Sequence, residues 1–406
     1  MDFSRRDFMG LATAAMATGV ATRANGRQQM TGTDIFDYRQ DFPVLEKWAY
    51  LNSPYISPSP QRVVDATIAF HQSKASDPVS LGSMLDEEQV MRERFAQLVN
   101  ADTAEIGVLS TTSEGENVVT AALDLQPGDN VVIDQLHYDT TELLYDKFVE
   151  SKGIELRVVK TVDGAAPAEA FAQLVDDRTR IVSVSWVSHQ NGYRHDLAAL
   201  AKIAHAHDAY LYVDAIQGVG ALRLDVKASD VDFFTVGGYK WLLGGFGVAL
   251  FYVRKELLDT ISMDRVGWRQ LASETTPGAY GFHEDGRKYG YATPAFGAVY
   301  QMRAALDYVL GVGVANIEQH VIPLANTLNA ELRGLGYDVL TPVENASQIV
   351  AFKHGADPDT ASAMFDKAGV KVSFREEGTQ IRAGVGLFNN KADVDRLLEV
   401  AASLRA

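Results

Sequence analysis

Strand-like and helix-like segments alternate along most of this chain, and the alternation limits the folds that it can adopt. Short apolar runs rich in β-branched and aromatic residues predict strands at 106–109, 131–133, 156–159, 181–186, 210–213, 233–236 and 248–253. Amphipathic segments between most of these runs predict helices at 116–123, 140–152, 167–175 and 197–207. Such alternation is typical of a mainly parallel sheet that is covered on both faces. We therefore predict an α/β fold whose large domain contains a mainly parallel seven-stranded sheet.

The last hundred residues show a different pattern. A helix-rich stretch at 298–335 leads into predicted strands at 337–340, 348–353, 370–374 and 380–384, with helices at 359–367 and 391–404. A chain of 406 residues that is 47% hydrophobic is long enough for two domains. The predicted division is an export signal at 1–30, an N-terminal segment at 31–60 that packs with the small domain, a large cofactor-binding domain at 61–300, and a small α+β C-terminal domain at 301–406.

Lys240 lies in a glycine-rich segment that directly follows a predicted strand. The segment 235–247 reads TVGGYKWLLGGFG. A lysine between glycines beside a buried strand is poorly placed for a solvated charge and well placed to form a Schiff base with a carbonyl cofactor. Asp214 ends the preceding strand, where a carboxylate can keep the pyridine nitrogen of pyridoxal phosphate protonated. The two residues predict a pyridoxal-phosphate enzyme in which both are catalytic.

Other candidate residues also follow strands, at the sheet edge where ligands of such folds bind. Thr112 and Ser113 open a helix, and hydroxyls with free backbone N–H groups at a helix N-terminus form an anion site. They are candidates for binding the cofactor phosphate, although an ordinary helix cap has the same pattern. Gln217 comes just after the strand that ends in Asp214 and is a candidate for binding the ring hydroxyl.

Aromatic and basic residues complete the candidate site. Tyr138 is preferred to His137 for stacking on the cofactor ring, and both are also compatible with a surface loop. His189 follows a strand and is a candidate for contacting the cofactor or the substrate, with a plain turn histidine equally compatible. Arg382 lies in an apolar strand, and a buried arginine needs an anion. We expect that anion to be the substrate carboxylate; a structural salt bridge is the alternative, and Arg375 is a second candidate for the carboxylate.

Taken in order, these motifs give the chain a specific family resemblance. Nearly everything after residue 34 resembles the class V aminotransferase superfamily of fold type I pyridoxal-phosphate enzymes. The matching motifs are an N-terminal entry motif at 50–53, a phosphate loop at 112–117, an Asp-x-x-Gln motif at 214–217, the Schiff-base lysine at 240, and the carboxylate-binding arginine at 382 followed by 387–390. The resemblance implies that Tyr239 gives its hydroxyl to the phosphate. Thr293, within 291–294, resembles the residue that reaches the phosphate of a neighbouring subunit, which implies a homodimer.

Departures from the family pattern bear on the reaction. Cysteine desulfurases of this family carry a catalytic cysteine on a loop near 374–378, but this chain has no cysteine, so a persulfide relay is excluded. The run 239–244 resembles the isopenicillin N epimerase-like branch. We expect an exported enzyme that acts at Cα of an amino acid, amine or amino-acid-containing metabolite. Aminotransferase-type chemistry is favoured, and a pyridoxal-phosphate-dependent epimerase or a C–S or β-elimination lyase are alternatives.

Functions of other classes fit less well. A non-catalytic binding protein with this fold is one alternative. Such a protein needs no electron sink, so the presence of Lys240, Asp214, Gln217 and Arg382 together argues against it. The glycines near Lys240 do not form the G-x-G-x-x-G pattern of a dehydrogenase. A net charge of −16 without a basic run argues against a nucleic-acid partner. The lack of cysteine removes disulfides and thiolate metal sites, and no metal site is predicted.

The first residues carry a targeting pattern. Arg5 and Arg6 precede a weakly apolar stretch at 10–21 and a small-residue region that ends near 24. Twin arginines in this setting predict twin-arginine export and a periplasmic or secreted enzyme, with a basic tail as the alternative. The stretch is too short for a permanent membrane anchor.

Overall fold

A computed structural model describes residues 35–276 and 278–405. The predicted export signal at 1–30 lies outside the described residues. The strands are β1 (Ala49–Tyr50), β2 (Ile106–Leu109), β3 (Asn130–Asp134), β4 (Glu155–Val159), β5 (Thr179–Ser185), β6 (Tyr210–Asp214), β7 (Phe233–Gly237), β8 (Ala249–Val253), β9 (Leu271–Thr276), β10 (Ala279–Phe282), β11 (Asp338–Val339), β12 (Ile349–Lys353), β13 (Val370–Lys371), β14 (Ser373–Arg375) and β15 (Gln380–Gly384).

Helices separate most of these strands. The α-helices are α1 (Gln61–Ser76), α2 (Leu81–Val99), α3 (Thr112–Ala122), α4 (Asp139–Lys152), α5 (Ala168–Ala172), α6 (Leu197–His205), α7 (Val226–Ser229), α8 (Phe296–Val312), α9 (Val314–Gly334), α10 (Pro358–Lys367) and α11 (Lys391–Arg405). Short 3-10 helices occupy Ile35–Asp41, Pro43–Glu46, Thr103–Glu105, Lys255–Leu257, Trp268–Gln270 and Gly286–Tyr289. No helix among the described residues is both long and apolar enough to cross a membrane.

A seven-stranded mixed sheet is the centre of the fold, with strand order β2-β8-β7-β6-β5-β3-β4. Strands β4, β3, β5, β6 and β7 pair in parallel, and β8 is antiparallel to both β7 and β2. The predicted α/β fold with a mainly parallel seven-stranded sheet is confirmed. Each strand lies within two residues of its predicted bounds. Most of these strands are buried and consist largely of apolar residues; the edge strand β4 is the exception, with only Val159 buried.

The C-terminal part contains a smaller antiparallel sheet with strand order β11-β12-β15-β14. Apolar residues of β12 and β15 form one buried cluster with residues of α9, α10 and α11. The N-terminal segment contacts this part: β1 pairs in parallel with β13, and Asn52 forms a bridge to Gly384. The small α+β unit predicted from the sequence is therefore present.

Two features are absent from the sequence prediction. Helices α1 and α2 precede the sheet and pack on α8. Only Val63 and Phe70 of α1 are buried, so its apolar stripe is weak. The antiparallel hairpin of β9 and β10 was also not predicted, because β10 is largely exposed and shows no alternation of buried and exposed residues.

Candidate active site

A cavity of about 550 Å³ lies beyond the carboxyl ends of β2, β6 and β7, at the N-terminus of α3. It is the position at which parallel sheets of this kind bind ligands. The cavity brings together several of the predicted residues: Thr112, Ser113, Tyr138, Asp214, Tyr239 and Lys240. Gln217, His189, Arg382 and Thr293 are not among the residues that line it.

Lys240 follows β7 and reaches the cavity through the glycine-rich turn. Burial lowers the pKa of its amine to about 8, since the ammonium form loses hydration, and the nearby Asp214 carboxylate partly opposes this. The Nζ atom lies 5.8 Å from the centroid of the Tyr239 ring. An amine with a lowered pKa serves as a nucleophile or a base near neutral pH.

Asp214 ends β6 and lines the same cavity. Its Oδ1 accepts a hydrogen bond of 3.0 Å from the backbone N–H of Ile216. Burial raises the pKa of the carboxyl group, while that hydrogen bond and Lys240 act in the opposite direction. A carboxylate at this position is suited to pairing with a protonated ring nitrogen.

The N-terminus of α3 forms the other end of the cavity. Its N-cap residue, Thr111, provides no side-chain cap for the helix. The hydroxyl of Thr112 is buried and has no hydrogen-bond partner in the described part of the chain. A Cβ atom at Gly237 would lie 3.0 Å from that hydroxyl oxygen, so the glycine keeps the space open. An uncapped helix N-terminus with an unpaired hydroxyl fits a phosphate group.

Two tyrosines flank the cavity. Tyr138 is 42% exposed and its ring lies 5.2 Å from that of His189 at 79°. Tyr239 stacks on Phe246, with 4.5 Å between ring centroids. His137, by contrast, is buried: its Nδ1 accepts the Tyr138 N–H at 2.7 Å. The structure thus places Tyr138, and not His137, among the cavity residues.

Arg382 is 2% exposed, and its guanidinium group donates to two neutral oxygens. Nη1 donates to the His189 carbonyl at 2.5 Å, Nη2 donates to the Ser373 hydroxyl at 3.2 Å, and Nε has no partner among the described residues. None of the carboxylates in the described residues forms an ion pair with it, so the structural salt bridge considered above is absent there. Burial and the neighbouring Arg375 lower its pKa to about 9.

His189 is buried beside these arginines, and neither ring nitrogen has a hydrogen-bond partner among the described residues. Its Nε2 lies 3.7 Å from the exposed carboxylate of Asp139. Burial first, and then the charges of Arg375 and Arg382, lower its pKa to about 3, so the ring is neutral. A neutral imidazole with open nitrogens is suited to hydrogen bonding with a ligand.

Gln217 and Thr293 are engaged elsewhere. The amide of Gln217 donates to the Pro54 carbonyl at 2.9 Å and accepts from the Trp241 indole at 3.0 Å. The exposed Thr293 accepts a hydrogen bond of 3.1 Å from Trp268. Contact of Gln217 with the ring hydroxyl, and of Thr293 with a neighbouring subunit, stay predictions.

Glu116 is a cavity residue that the sequence reasoning did not identify as functional. Its Oε1 accepts hydrogen bonds from Tyr145 (2.8 Å) and Ser183 (2.6 Å), and its Oε2 accepts one from Thr141 (3.1 Å). Burial raises the pKa of this carboxyl group to about 7. Glu116 could have been identified from its sequence position: it lies four residues after Thr112, and this spacing places both side chains on one face of α3.

These groups fit pyridoxal phosphate. The cavity supplies an amine of lowered pKa, a buried carboxylate, an uncapped helix N-terminus with an unpaired hydroxyl, and an aromatic side chain. These match the aldehyde, ring nitrogen, phosphate and ring face of the cofactor. In the described residues, no group of three or more His, Asp or Glu side chains is arranged to hold a metal ion.

Comparisons with known proteins identify the family to which the chain is similar. Residues 49–397 match the family model described as "Aminotransferase class-V". The chain is 26% identical to a probable cysteine desulfurase of Methanothermobacter thermautotrophicus, covering 89% of this chain and 96% of the relative. It is 27% identical to a cysteine desulfurase of Escherichia coli, covering 89% and 95%.

Solved structures show the same fold. The cysteine desulfurase CsdA from Escherichia coli superposes with a TM-score of 0.82 at 23% identity, covering 92% of this chain and 99% of that one. The complex of the cystine C–S lyase C-DES with its reaction product, cysteine persulfide, also superposes with a TM-score of 0.82, at 21% identity, covering 89% of this chain and 99% of that one.

Proposed function

The chain belongs to the aminotransferase class V family, and we propose that within this family of pyridoxal-phosphate enzymes it acts as a C–S lyase. The proposed reaction removes a sulfur substituent from Cβ of a cysteine-like amino acid by β-elimination. One observation carries the proposal: a complete lysine-centred site occurs in a chain that has no cysteine. The relatives named cysteine desulfurase and the neighbour named cystine C–S lyase support a sulfur-containing substrate.

The residues of the site have distinct roles in this reaction. Bound pyridoxal phosphate supplies the electron sink for chemistry at Cα. Lys240, which anchors the cofactor when substrate is absent, accepts the Cα proton, and its pKa of about 8 suits a base. Asp214 holds the proton of the ring nitrogen, and Arg382 holds the substrate carboxylate. The Cβ–S bond breaks, the sulfur leaves with the bonding electrons, and hydrolysis of the remaining enamine gives pyruvate and ammonia.

The absence of cysteine separates this reaction from that of a desulfurase. A desulfurase of this family takes the sulfur onto an enzyme thiol, and this chain has no thiol to accept it. In the proposed reaction the sulfur is therefore released from the enzyme as part of the leaving group, and it is not transferred to a protein side chain. Aminotransferase-type chemistry, which the sequence favoured, is not confirmed, and neither relative reported above is named an aminotransferase.

Product analysis tests the proposal. Purified protein with bound cofactor is incubated with L-cystine, L-cysteine and a panel of amino acids without sulfur. We expect pyruvate and ammonia in equal amounts from the sulfur compounds only. Alanine as the product would indicate desulfurase chemistry, and a keto acid without free ammonia would indicate amino transfer. Racemised substrate would indicate an epimerase, and no change in any compound would favour a binding protein.

We also propose a homodimer in which Thr293 of one subunit approaches the phosphate end of the other cavity. Two observations support it: Thr293 is exposed and lies outside its own cavity, and Lys240 is the one cationic side chain among the described residues that line this cavity. Light scattering should therefore show a dimer. The Thr293→Val variant should bind cofactor more weakly and should remain dimeric. A monomeric protein with full cofactor affinity would contradict this arrangement.

Export remains part of the proposal. The twin arginines, Arg5 and Arg6, and the weakly apolar stretch after them support it. Cell fractionation should find the protein outside the cytoplasm, and a double Arg5→Lys, Arg6→Lys variant should stay inside. Equal distribution of the two proteins would refute twin-arginine export.

A further inference from the structure

Arg375 and Arg382 lie on one face of the small sheet. The two strands pair in antiparallel register, with Ser373 opposite Arg382 and Arg375 opposite Gln380. Alternate residues of a strand share a face, and so do residues directly opposite one another. Contacts identify this face: Arg382 donates to the Ser373 hydroxyl, and Gln380 donates to the Gln190 carbonyl. Both arginines therefore face the loop at 188–192, beside the active-site cavity.

Among the described residues, the guanidinium group of Arg375 has no anionic partner. The residue is partly buried and its backbone carbonyl accepts from the Gly378 N–H, but within the described part of the chain no side-chain hydrogen bond or ion pair joins its guanidinium group to another residue. The acidic residues that follow it, Glu376 and Glu377, are exposed and form no ion pair with it. Other arginines, such as Arg303, pair with carboxylates, as expected in a protein with a net charge of −16. An unpaired guanidinium beside a second one is unfavourable unless an anion joins them.

The positive charge of Arg375 reaches the reaction site. It is close enough to contribute to the lowered pKa values of His189, Lys240 and Arg382. An α-carboxylate needs only one guanidinium group, and Arg382, whose Nε is unpaired among the described residues, is the residue assigned to it above. The guanidinium of Arg375 is then left for a second anionic group on the substrate.

We propose that the substrate is an amino acid whose sulfur-linked side chain ends in a second carboxylate, and that Arg375 binds this carboxylate. The inference rests on the proposed C–S lyase function and specifies its substrate class. Arg375 is thereby a specificity-determining residue: it selects the group beyond sulfur and takes no part in the proton transfer at Cα. The leaving product is a thiol that carries an acid.

A matched pair of substrates tests the inference. S-carboxymethyl-L-cysteine and S-carbamoylmethyl-L-cysteine have nearly the same size and differ in a carboxylate versus a neutral amide. A hydrogen-bonded charge pair is typically worth a factor of roughly 10 to 100. We expect wild-type enzyme to favour the acid by that factor in kcat/KM, and Arg375→Gln to reduce the preference to about one. Arg375→Lys should keep part of it.

Arg396→Gln is the matched control, since it makes the same substitution at an exposed position of α11. It should keep the full preference for the acid. Equal use of both substrates by wild-type enzyme would overturn the inference. So would an Arg375→Gln variant that loses activity equally on both, because that result indicates a structural role. Cofactor content and circular dichroism of each variant show whether it is folded.

The inference and the lyase function can fail separately. The dissociation constant of each compound is measured from the change in cofactor absorbance on binding, whether or not products form. Tighter binding of the acid that depends on Arg375, without elimination, would support the second-carboxylate site and refute the lyase reaction. Elimination from both compounds with equal affinity would support the lyase reaction and refute the site.

Discussion

Replacing Glu116 with glutamine should remove a pH dependence of stability that arises inside the active site. The carboxyl group is buried and accepts hydrogen bonds from Tyr145, Ser183 and Thr141. Glutamine can keep these contacts, because its amide oxygen accepts from the first two hydroxyls and its amide N–H donates to the third. The substitution therefore changes the titration of the site and little of its packing.

The magnitude follows from the pKa. Burial raises the pKa of Glu116 from 4.5 to about 7, so the folded protein binds this proton more tightly than the unfolded chain does. Stability then falls as pH rises from about 4.5 through about 7 and stays lowered above it. The full effect is roughly 3 kcal/mol. Relative to Glu116→Gln, wild-type protein should be similarly stable near pH 5 and less stable by up to roughly 3 kcal/mol at pH 8.

Urea unfolding at pH 5, 6, 7 and 8, followed by circular dichroism with saturating cofactor, measures the difference. Glu150→Gln is the control: it makes the same change on the surface of α4, where the carboxylate pairs with Lys147 at 2.7 Å. Its difference from wild type should stay within a few tenths of a kcal/mol at every pH. A Glu116→Gln difference that is the same at pH 5 and pH 8 would refute the reasoning.

Three further predictions concern the cavity and its neighbours. The rate at which cofactor attaches to apoprotein should rise with pH through about 8, because only the neutral amine of Lys240 reacts; a rate already constant at pH 7 in stopped-flow absorbance would contradict this. Arg382→Lys should raise the KM of amino-acid substrates roughly tenfold or more, with cofactor affinity unchanged, because lysine lacks the guanidinium fork. Gly237→Ala should weaken cofactor binding in a fluorescence titration, since the added Cβ would lie 3.0 Å from the Thr112 hydroxyl oxygen; undiminished affinity would show that the phosphate lies elsewhere.

Much of the sheet could be predicted because most of its strands have a recognisable local sequence pattern. A strand buried on both faces, such as β7, is apolar at nearly every position and ends at glycine or polar residues. Helix α1 was missed because most of its surface faces solvent, and the β9–β10 hairpin was missed because β10 packs few residues into the core. Segments that bury little apolar area give weak sequence patterns.

The site could be predicted in part for a similar reason. Lys240, Asp214 and Thr112 each follow a strand, so their positions at one sheet edge follow from the topology. The hydrogen bonds of Glu116 join α3 to α4 and β5, and a pairing between residues 67 apart has no local signal. The hydrogen bonds of Gln217 with Pro54 and Trp241 could not be predicted for the same reason, because these partners are distant in the sequence.

The central proposal is that Lys240 is both the anchor of the cofactor and the base at Cα. Lys240→Ala is prepared with pyridoxal phosphate and mixed with L-cystine, and the cofactor absorbance and pyruvate are recorded together. We expect the variant to bind cofactor without a borohydride-reducible link to the protein, to show a substrate-dependent absorbance change, and to form no pyruvate above background. Pyruvate formation near the wild-type rate, or a retained covalent link, would contradict it.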